Sequence, residues 1–329
     1  MQQHFQVSGD LAALVRDYLE KHQLCDWSLY RQLLAVAANT RISFEDWWQI
    51  LEQLQQRLPE RNVALELGQC VRPAHLGVLG YLVLACENLG EALQAFQRYQ
   101  GLLHDGDRAQ AHSADGLMVL SWTKHYRLNH VLSDQVLVSG MSRFIRTMVG
   151  QPALKAARLM FAMPQPPWDI SGYLELADEV LFDQDNTGIA FPPQLLALPV
   201  VNHDPDLKKL LETQAQSMLA ILPQQDSLVE QLRPALLKAL QRGQVTSAFV
   251  ARELHLSERT LFRRLQSYGL SFKQLVLQTR IELAKQQLQA GQLTLAEIAL
   301  LLGYSEQSAF NRAFKRETGL TPRQFQRRG

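Results

Sequence analysis

Arg259 and Arg263, and further along Gln307, Ser308, Asn311 and Arg312, are polar side chains set among apolar ones at helical spacing. In the major groove, arginine grips guanine and glutamine or asparagine grips adenine through paired hydrogen bonds. Two such strips on two helices could read base edges in DNA. Thr260 completes the first strip, while Leu261, Leu265, Phe310 and Phe314 are expected to face inward. The chemistry implied is recognition, not bond making.

The elements that would hold these strips are written twice. One copy runs from Val250 through Ala251, Leu254, His255 and Leu256 to Ser257-Glu258 and Leu261. The other runs from Ile298 through Ala299, Leu302, Gly303 and Tyr304 to Ser305-Glu306 and Phe310. Each has a small alanine where two helices must cross, then a turn, then an apolar plug. A hydroxyl N-cap with an acid in the first turn should open the second helix, at Ser257 and at Ser305. Gly303 sits where a left-handed backbone is needed, and His255 holds the equivalent place. This is the pattern of a helix-turn-helix, repeated. From Ser271 to Ala290 a helical stripe of Phe272, Leu275, Val276, Thr279, Leu283, Ala284 and Leu288 predicts a rod of about 30 Å joining the two. Such a rod suits two successive major grooves about 34 Å apart. Lys273, Arg280, Lys285, Lys315 and Arg316 are the candidates for phosphate contacts that position without specifying sequence, with Arg323, Arg327 and Arg328 behind them.

Charge supports a division of labour. The chain of 329 residues carries a net charge of only +1. From Gln224 onward, however, there are 16 Lys and Arg against 8 Asp and Glu, and the remainder is acidic. A basic third on an acidic body suggests that one module meets phosphate and the other does not. Three separated cysteines, Cys25, Cys70 and Cys86, offer no metal-ligand spacing, and neither a zinc site nor another cofactor is expected. Reduced thiols, the absence of a signal-like start and no apolar run long enough for a bilayer lead to the expectation of a cytoplasmic protein off the membrane.

The body reads as α+β, helices first and a small sheet later. Apolar residues recur at helical spacing from residue 10 to about 103. Ser43 marks one helix start, and Pro73 is expected to open a helix reaching Cys86. Leu117–Trp122, Ala157–Ala162, Val180–Phe182 and Gly188–Phe191 read as strands, the last two joined by a hairpin-like turn at Asp183–Thr187. Asp134–Met148 reads as a buried helix between strands. The expected domains are 1–200 for sensing or dimerising, 201–226 as connector helix and linker, and 227–329 as an all-α unit of two helix-turn-helix motifs joined by a long helix. Pro234 should kink or restart the helix that holds it.

The run Leu300-Leu301-Leu302-Gly303-Tyr304-Ser305-Glu306-Gln307-Ser308-Ala309-Phe310-Asn311-Arg312-Ala313-Phe314-Lys315-Arg316, with Thr318-Gly319 and Thr321-Pro322, resembles the signature of the AraC/XylS family of bacterial transcription regulators. Ser257 to Leu265 is similar to that family's first recognition helix. Arg72-Pro73-Ala74-His75-Leu76-Gly77 and the stretch from Val180 to Pro199 resemble the subgroup of ornithine-utilisation and VirS-type regulators. The resemblance implies binding to double-stranded promoter DNA and contact with RNA polymerase, with activation the expected outcome. It also implies an effector-sensing or dimerising body that is not a cupin barrel, and a homodimer fits the same picture. Trp122, Tyr126, Trp168 and Tyr173 are the candidates to line an effector site. An enzymatic body is disfavoured: no Gly-rich phosphate loop, GxSxG elbow or HExxH pair occurs. The standing alternative is a ligand-independent regulator whose body only dimerises or touches other proteins.

Overall fold

In a computed structural model the described residues are 5–37, 40–122, 130–166, 169–222, 228–267 and 270–326. They fall into two units that divide after Leu222.

The first unit opens with β1 (Gln6–Ser8), α1 (Asp10–Lys21), α2 (Ser28–Leu34), β2 (Arg41–Ser43) and α3 (Phe44–Arg57). Next come α4 (Val63–Gln69), α5 (Gly77–Leu84) and α6 (Leu89–Tyr99). After them stand β3 (Ala109–Ala114), β4 (Leu117–Trp122), α7 (Val131–Val149) and β5 (Ala156–Met160). The unit closes with the short α8 (Ser171–Leu174), β6 (Ala177–Leu181), β7 (Thr187–Phe191) and α9 (Pro205–Ile221). Ser43 caps α3 as expected, accepting from the Asp46 amide at 3.0 Å. Helices precede a five-stranded sheet, and the strand order β3-β4-β7-β5-β6 is that of an open sheet, not a cupin barrel. Every residue of the central β7 is buried, pairing Ile189 with Leu120 on one side and Leu159 on the other.

Two expectations need correction, and one strand was not foreseen. Pro73 opens a single 3-10 turn, Pro73–Leu76, and the α-helix begins only at Gly77. Asp183–Thr187 is no hairpin: β5 lies between β6 and β7, parallel to one and antiparallel to the other, so the chain crosses over it. The edge strand β3 gave no strand signal, because Ala109-Gln110-Ala111-His112-Ser113-Ala114 is largely solvent-facing and lacks β-branched residues. The long α7 is buried along most of its length, as its composition suggests, and its Ser139 and Gly140 lie against Gly68 of α4.

The helix read as a connector, α9, packs into the first unit. Ala215 is fully buried, Leu211 and Leu219 lie against the core, and Lys208 pairs with Glu91.

The second unit is helical among its described residues: α10 (Leu228–Gln241), α11 (Ser247–Glu253), α12 (Glu258–Ser267), α13 (Phe272–Ala290), α14 (Leu295–Leu301), α15 (Gln307–Thr318) and α16 (Pro322–Gln326). Pro234 does not restart α10, which runs through it. Two small cores share one helix. Leu275 and Val276 of α13 join Leu236, Val250, Leu261 and Leu265; Ile281, Ala284 and Leu288 join Ile298, Leu302, Phe310 and Phe314.

Candidate functional site

Each helix-turn-helix turns in the same way. In the first, the Leu256 amide donates to the Ala251 carbonyl at 2.8 Å and His255 to Arg252 at 3.1 Å. In the second, Tyr304 donates to Ala299 at 2.9 Å and Gly303 to Leu300 at 2.9 Å. His255 has φ +55° and Gly303 φ +75°, so the histidine adopts the left-handed conformation that the glycine takes without a Cβ penalty. Thr294 and Glu297 form a reciprocal capping box at the start of α14, which holds the Glu297 carboxyl below its usual range.

The copies then diverge by one residue. Ser257 caps α12, its Oγ accepting from the Thr260 amide at 3.1 Å. Ser305 does not cap α15. That helix begins at Gln307 behind Glu306, with no side-chain cap, and Ser308 Oγ instead donates to Glu306 at 3.0 Å. The cause is an extra residue between the left-handed turn and the first buried anchor. Superposing the anchors Leu261 on Phe310 and Leu265 on Phe314 pairs Arg259 with Ser308 and Arg263 with Arg312. All four are exposed on their helices.

The remaining base-reading candidates are less open. Thr260 is half-buried and shares a 2.8 Å hydrogen bond with Ser257 Oγ. Gln307 and Asn311 are half-buried, and Asn311 Oδ1 is buried with no partner among the described residues.

Of the phosphate candidates, Lys273, Lys315 and Arg316 are exposed. Arg280 is committed elsewhere: its guanidinium stacks 4.9 Å from the Tyr304 ring and reaches the Gly303 carbonyl at 3.5 Å. It ties α13 to the second turn, which no local sequence pattern announces. Lys285 is half-buried, its Nζ 5.5 Å from the Phe325 ring. Arg323 is exposed, and Arg327 and Arg328 lie outside the described residues.

In the body, Tyr126 and Trp168 fall outside the described residues. Tyr173 is a core residue: fully buried, edge-on to Phe161 at 5.2 Å, and hydrogen-bonded to Asn62. Burial drives its phenol pKa upward. Trp122 instead lines a cavity of about 150 Å³, together with Phe44, Trp47, His104, Ser133 and Phe144. Asp107, Asp134 and Thr187 add polar groups to its wall. Trp47 Nε1 donates to Ser133 Oγ at 3.1 Å, and Thr187 Oγ1 to Asp134 at 2.8 Å. Burial, with Arg41 and Arg108 nearby, pulls the His104 pKa down to about 4, so the ring is neutral at pH 7. A smaller apolar cavity of about 60 Å³ shares Leu76, Phe96, Met141 and Phe144 with it. Apart from Trp122, none of these lining residues stood out in the sequence. They come from elements far apart in the chain, so the signal exists only in the fold. Among the described residues no cluster could hold a metal ion, and no helix is long and apolar enough to cross a membrane.

Comparisons with known proteins cover both units. A helix-turn-helix domain profile matches residues 250–328. A profile described as the arabinose-binding domain of AraC transcription regulator, N-terminal, matches residues 27–200. The ornithine utilization regulator of Pseudomonas aeruginosa is 32% identical over 319 residues, covering 96% of this chain and 93% of that protein. The regulator VirS of Mycobacterium tuberculosis is 32% identical over 195 residues, 59% of this chain and 56% of that one. The crystal structure of the regulator CdpR from Pseudomonas aeruginosa aligns with a TM-score of 0.38 at 22% identity, over 88% of this chain and 99% of that one.

Proposed function

The chain belongs to the AraC family of DNA-binding transcription regulators, with that family's type of ligand-binding domain at its N-terminus, and on that premise we propose that a small molecule in the first unit controls promoter recognition by the second. The relatives matched along most of the chain are regulators and not enzymes. The observation that carries the reading is the repeated display: Arg259 and Arg263 on α12, Ser308 and Arg312 on α15, each strip exposed and each helix anchored in its own core on α13. Gln307, Asn311 and Thr260 would add base contacts after side-chain rearrangement. Lys273, Lys315 and Arg316 would hold phosphates. Arg280 and Lys285 would contribute to phosphate binding only by leaving the rings they now cover. Activation through RNA polymerase, action in the cytoplasm and assembly as a homodimer complete the proposal. Residues 227–329 bind promoter DNA in this reading, while residues 1–200 sense or dimerise. The helix α9 goes with the body against which it packs.

Arg312→Ala should lose about 1–3 kcal/mol of discrimination between promoter and random DNA, with nonspecific binding nearly unchanged. Lys315→Ala should instead weaken both alike and lower the slope of affinity against salt by about one unit. Titrations of both variants on the two DNAs over a salt series check this. Equal losses on both DNAs for Arg312→Ala would reassign that residue to the backbone, and an unchanged salt slope would remove Lys315 from it.

A body that acts only by self-association is the second reading. It is favoured by the exposed Leu207, Leu210 and Ile221 on α9. Ornithine, which appears in the name of the Pseudomonas relative, is the first compound to add to promoter-binding assays. A small molecule that changes promoter affinity supports effector control, and insensitivity to every compound tried supports self-association.

A further inference from the structure

One apolar ring stands within the polar strip of α12. Phe262 is 48% exposed, three residues after Arg259 and directly before Arg263. At about 100° per residue the three side chains span about 100° of the helix, with Phe262 at one edge. A single exposed apolar side chain is ordinary on a protein surface, so what marks Phe262 is its place. Superposing the two helices on their anchors, Leu261 on Phe310 and Leu265 on Phe314, sets Phe262 on Asn311. Asn311 is a base-reading candidate of α15, so the first copy puts a phenyl ring where the second puts an amide. The ring is also steadied. Phe272, which opens α13 and packs against the first core, meets it edge-on with centroids 6.5 Å apart.

We propose that Phe262 reads a thymine, its ring seated on the C5-methyl in the major groove beside the bases that Arg259 and Arg263 contact. This rests on the reading of α12 as a base-reading helix. A phenyl ring has no N–H or O–H to donate and no oxygen to accept, so it cannot sort bases by their polar edges. The thymine methyl is the apolar feature that the major groove presents. Contact between methyl and ring takes both out of water, whereas any other base would set the ring against a polar edge. Wedging between stacked bases, the other use of an apolar side chain on DNA, is a minor-groove device.

The test uses the full-length chain and a duplex that it selects from a random-sequence pool. Each thymine of that duplex is replaced in turn by deoxyuridine, which removes the methyl and leaves base pairing intact. The half read by α12 is the one whose sequence preference Arg263→Ala relaxes. There, one deoxyuridine should weaken wild-type binding about fourfold, the worth of one buried methyl-sized group. Phe262→Ala should lose about the same factor on the unmodified duplex, and the same deoxyuridine should then change its affinity less than about twofold. Phe262→Leu, which restores an apolar side chain, should regain part of the sensitivity. The proposal is overturned if no thymine in that half responds to loss of its methyl, or if Phe262→Ala keeps the wild-type response. It is also overturned if Phe262→Ala weakens random-sequence DNA as much as the selected duplex. A wild-type chain that enriches no sequence, or an Arg263→Ala variant with undiminished preference, would overturn the base-reading role of α12 itself and that of Phe262 with it.

Discussion

Gly68→Ala should melt the body about 6–12 °C below wild type. A Cβ at this position would lie 1.8 Å from Ser139 Oγ and 2.7 Å from the Gly140 amide nitrogen, where α4 crosses α7. Ser139 cannot swing away cheaply. It is fully buried, and its hydroxyl donates to the Gln135 carbonyl of its own helix at 2.6 Å. The backbone nitrogen behind it has no side chain to move, so the helices must part. Overpacking costs about 1–3 kcal/mol, and an obstruction by backbone belongs at the upper end. At roughly 2–4 °C per kcal/mol for a unit of this size, about 3 kcal/mol gives the shift stated. Thermal unfolding of the full-length chain followed by circular dichroism measures it. The double variant Gly68→Ala/Ser139→Gly should recover part of the loss, because only the backbone obstruction then remains. A shift below about 2 °C would show that α4 and α7 are free to separate. The helix α7 also carries Ser133, Val136, Leu137, Met141 and Phe144 of the cavity wall, so crossing distance and cavity shape are set by the same contact.

What was legible in the chain beforehand was local chemistry. The paired turns could be read because a left-handed residue, a small alanine and an apolar plug sit at fixed offsets, and His255 with φ +55° shows the pattern tolerates a costly residue. The stripe on α13 was legible for the same reason, although Ile281, buried in the second core, was left out of it. Ser305 was misread as a cap because a hydroxyl followed by an acid looks alike whether or not the turn is one residue longer. The crossover of β5 between β6 and β7 was illegible because strand order is a long-range choice, and short segments joined by turn residues look like a hairpin in either case. Arg280 read as a free cation because its partner Tyr304 lies in another element. In the sequence Trp122 and Tyr173 are alike, two aromatic residues in the same body. Only burial and partners separate them, since one has a hydroxyl satisfied by Asn62 and the other a buried N–H with no partner among the described residues.

Phe310→Ala should abolish the second half of the promoter footprint and lower promoter affinity by about 10²–10⁴-fold, the usual gain from joining two binding modules. Phe310 is fully buried, tilted against Tyr304 at 5.8 Å and edge-on to Phe314 at 5.7 Å. Truncating a buried phenylalanine costs about 3–5 kcal/mol. The core around it is small: beyond Phe310 its buried members are Ile281, Ala284, Leu288, Ile298, Ala299, Leu302 and Phe314. A loss of that size is a large share of what so few residues supply, so α15 should lose its fixed presentation of Ser308 and Arg312. The first core, built on Leu236, Val250, Leu261 and Leu265, receives Leu275 and Val276 from the opposite half of α13, and Phe310 belongs to the other core. Hydroxyl-radical footprinting of the variant therefore should show one groove still protected and the next one bare. Protection of both grooves would mean that α15 does not read DNA. Loss of both would mean that α13 transmits disorder from one core to the other. The helix would then couple the two readers, and Leu261→Ala in the first core should erase the same footprint from the other side.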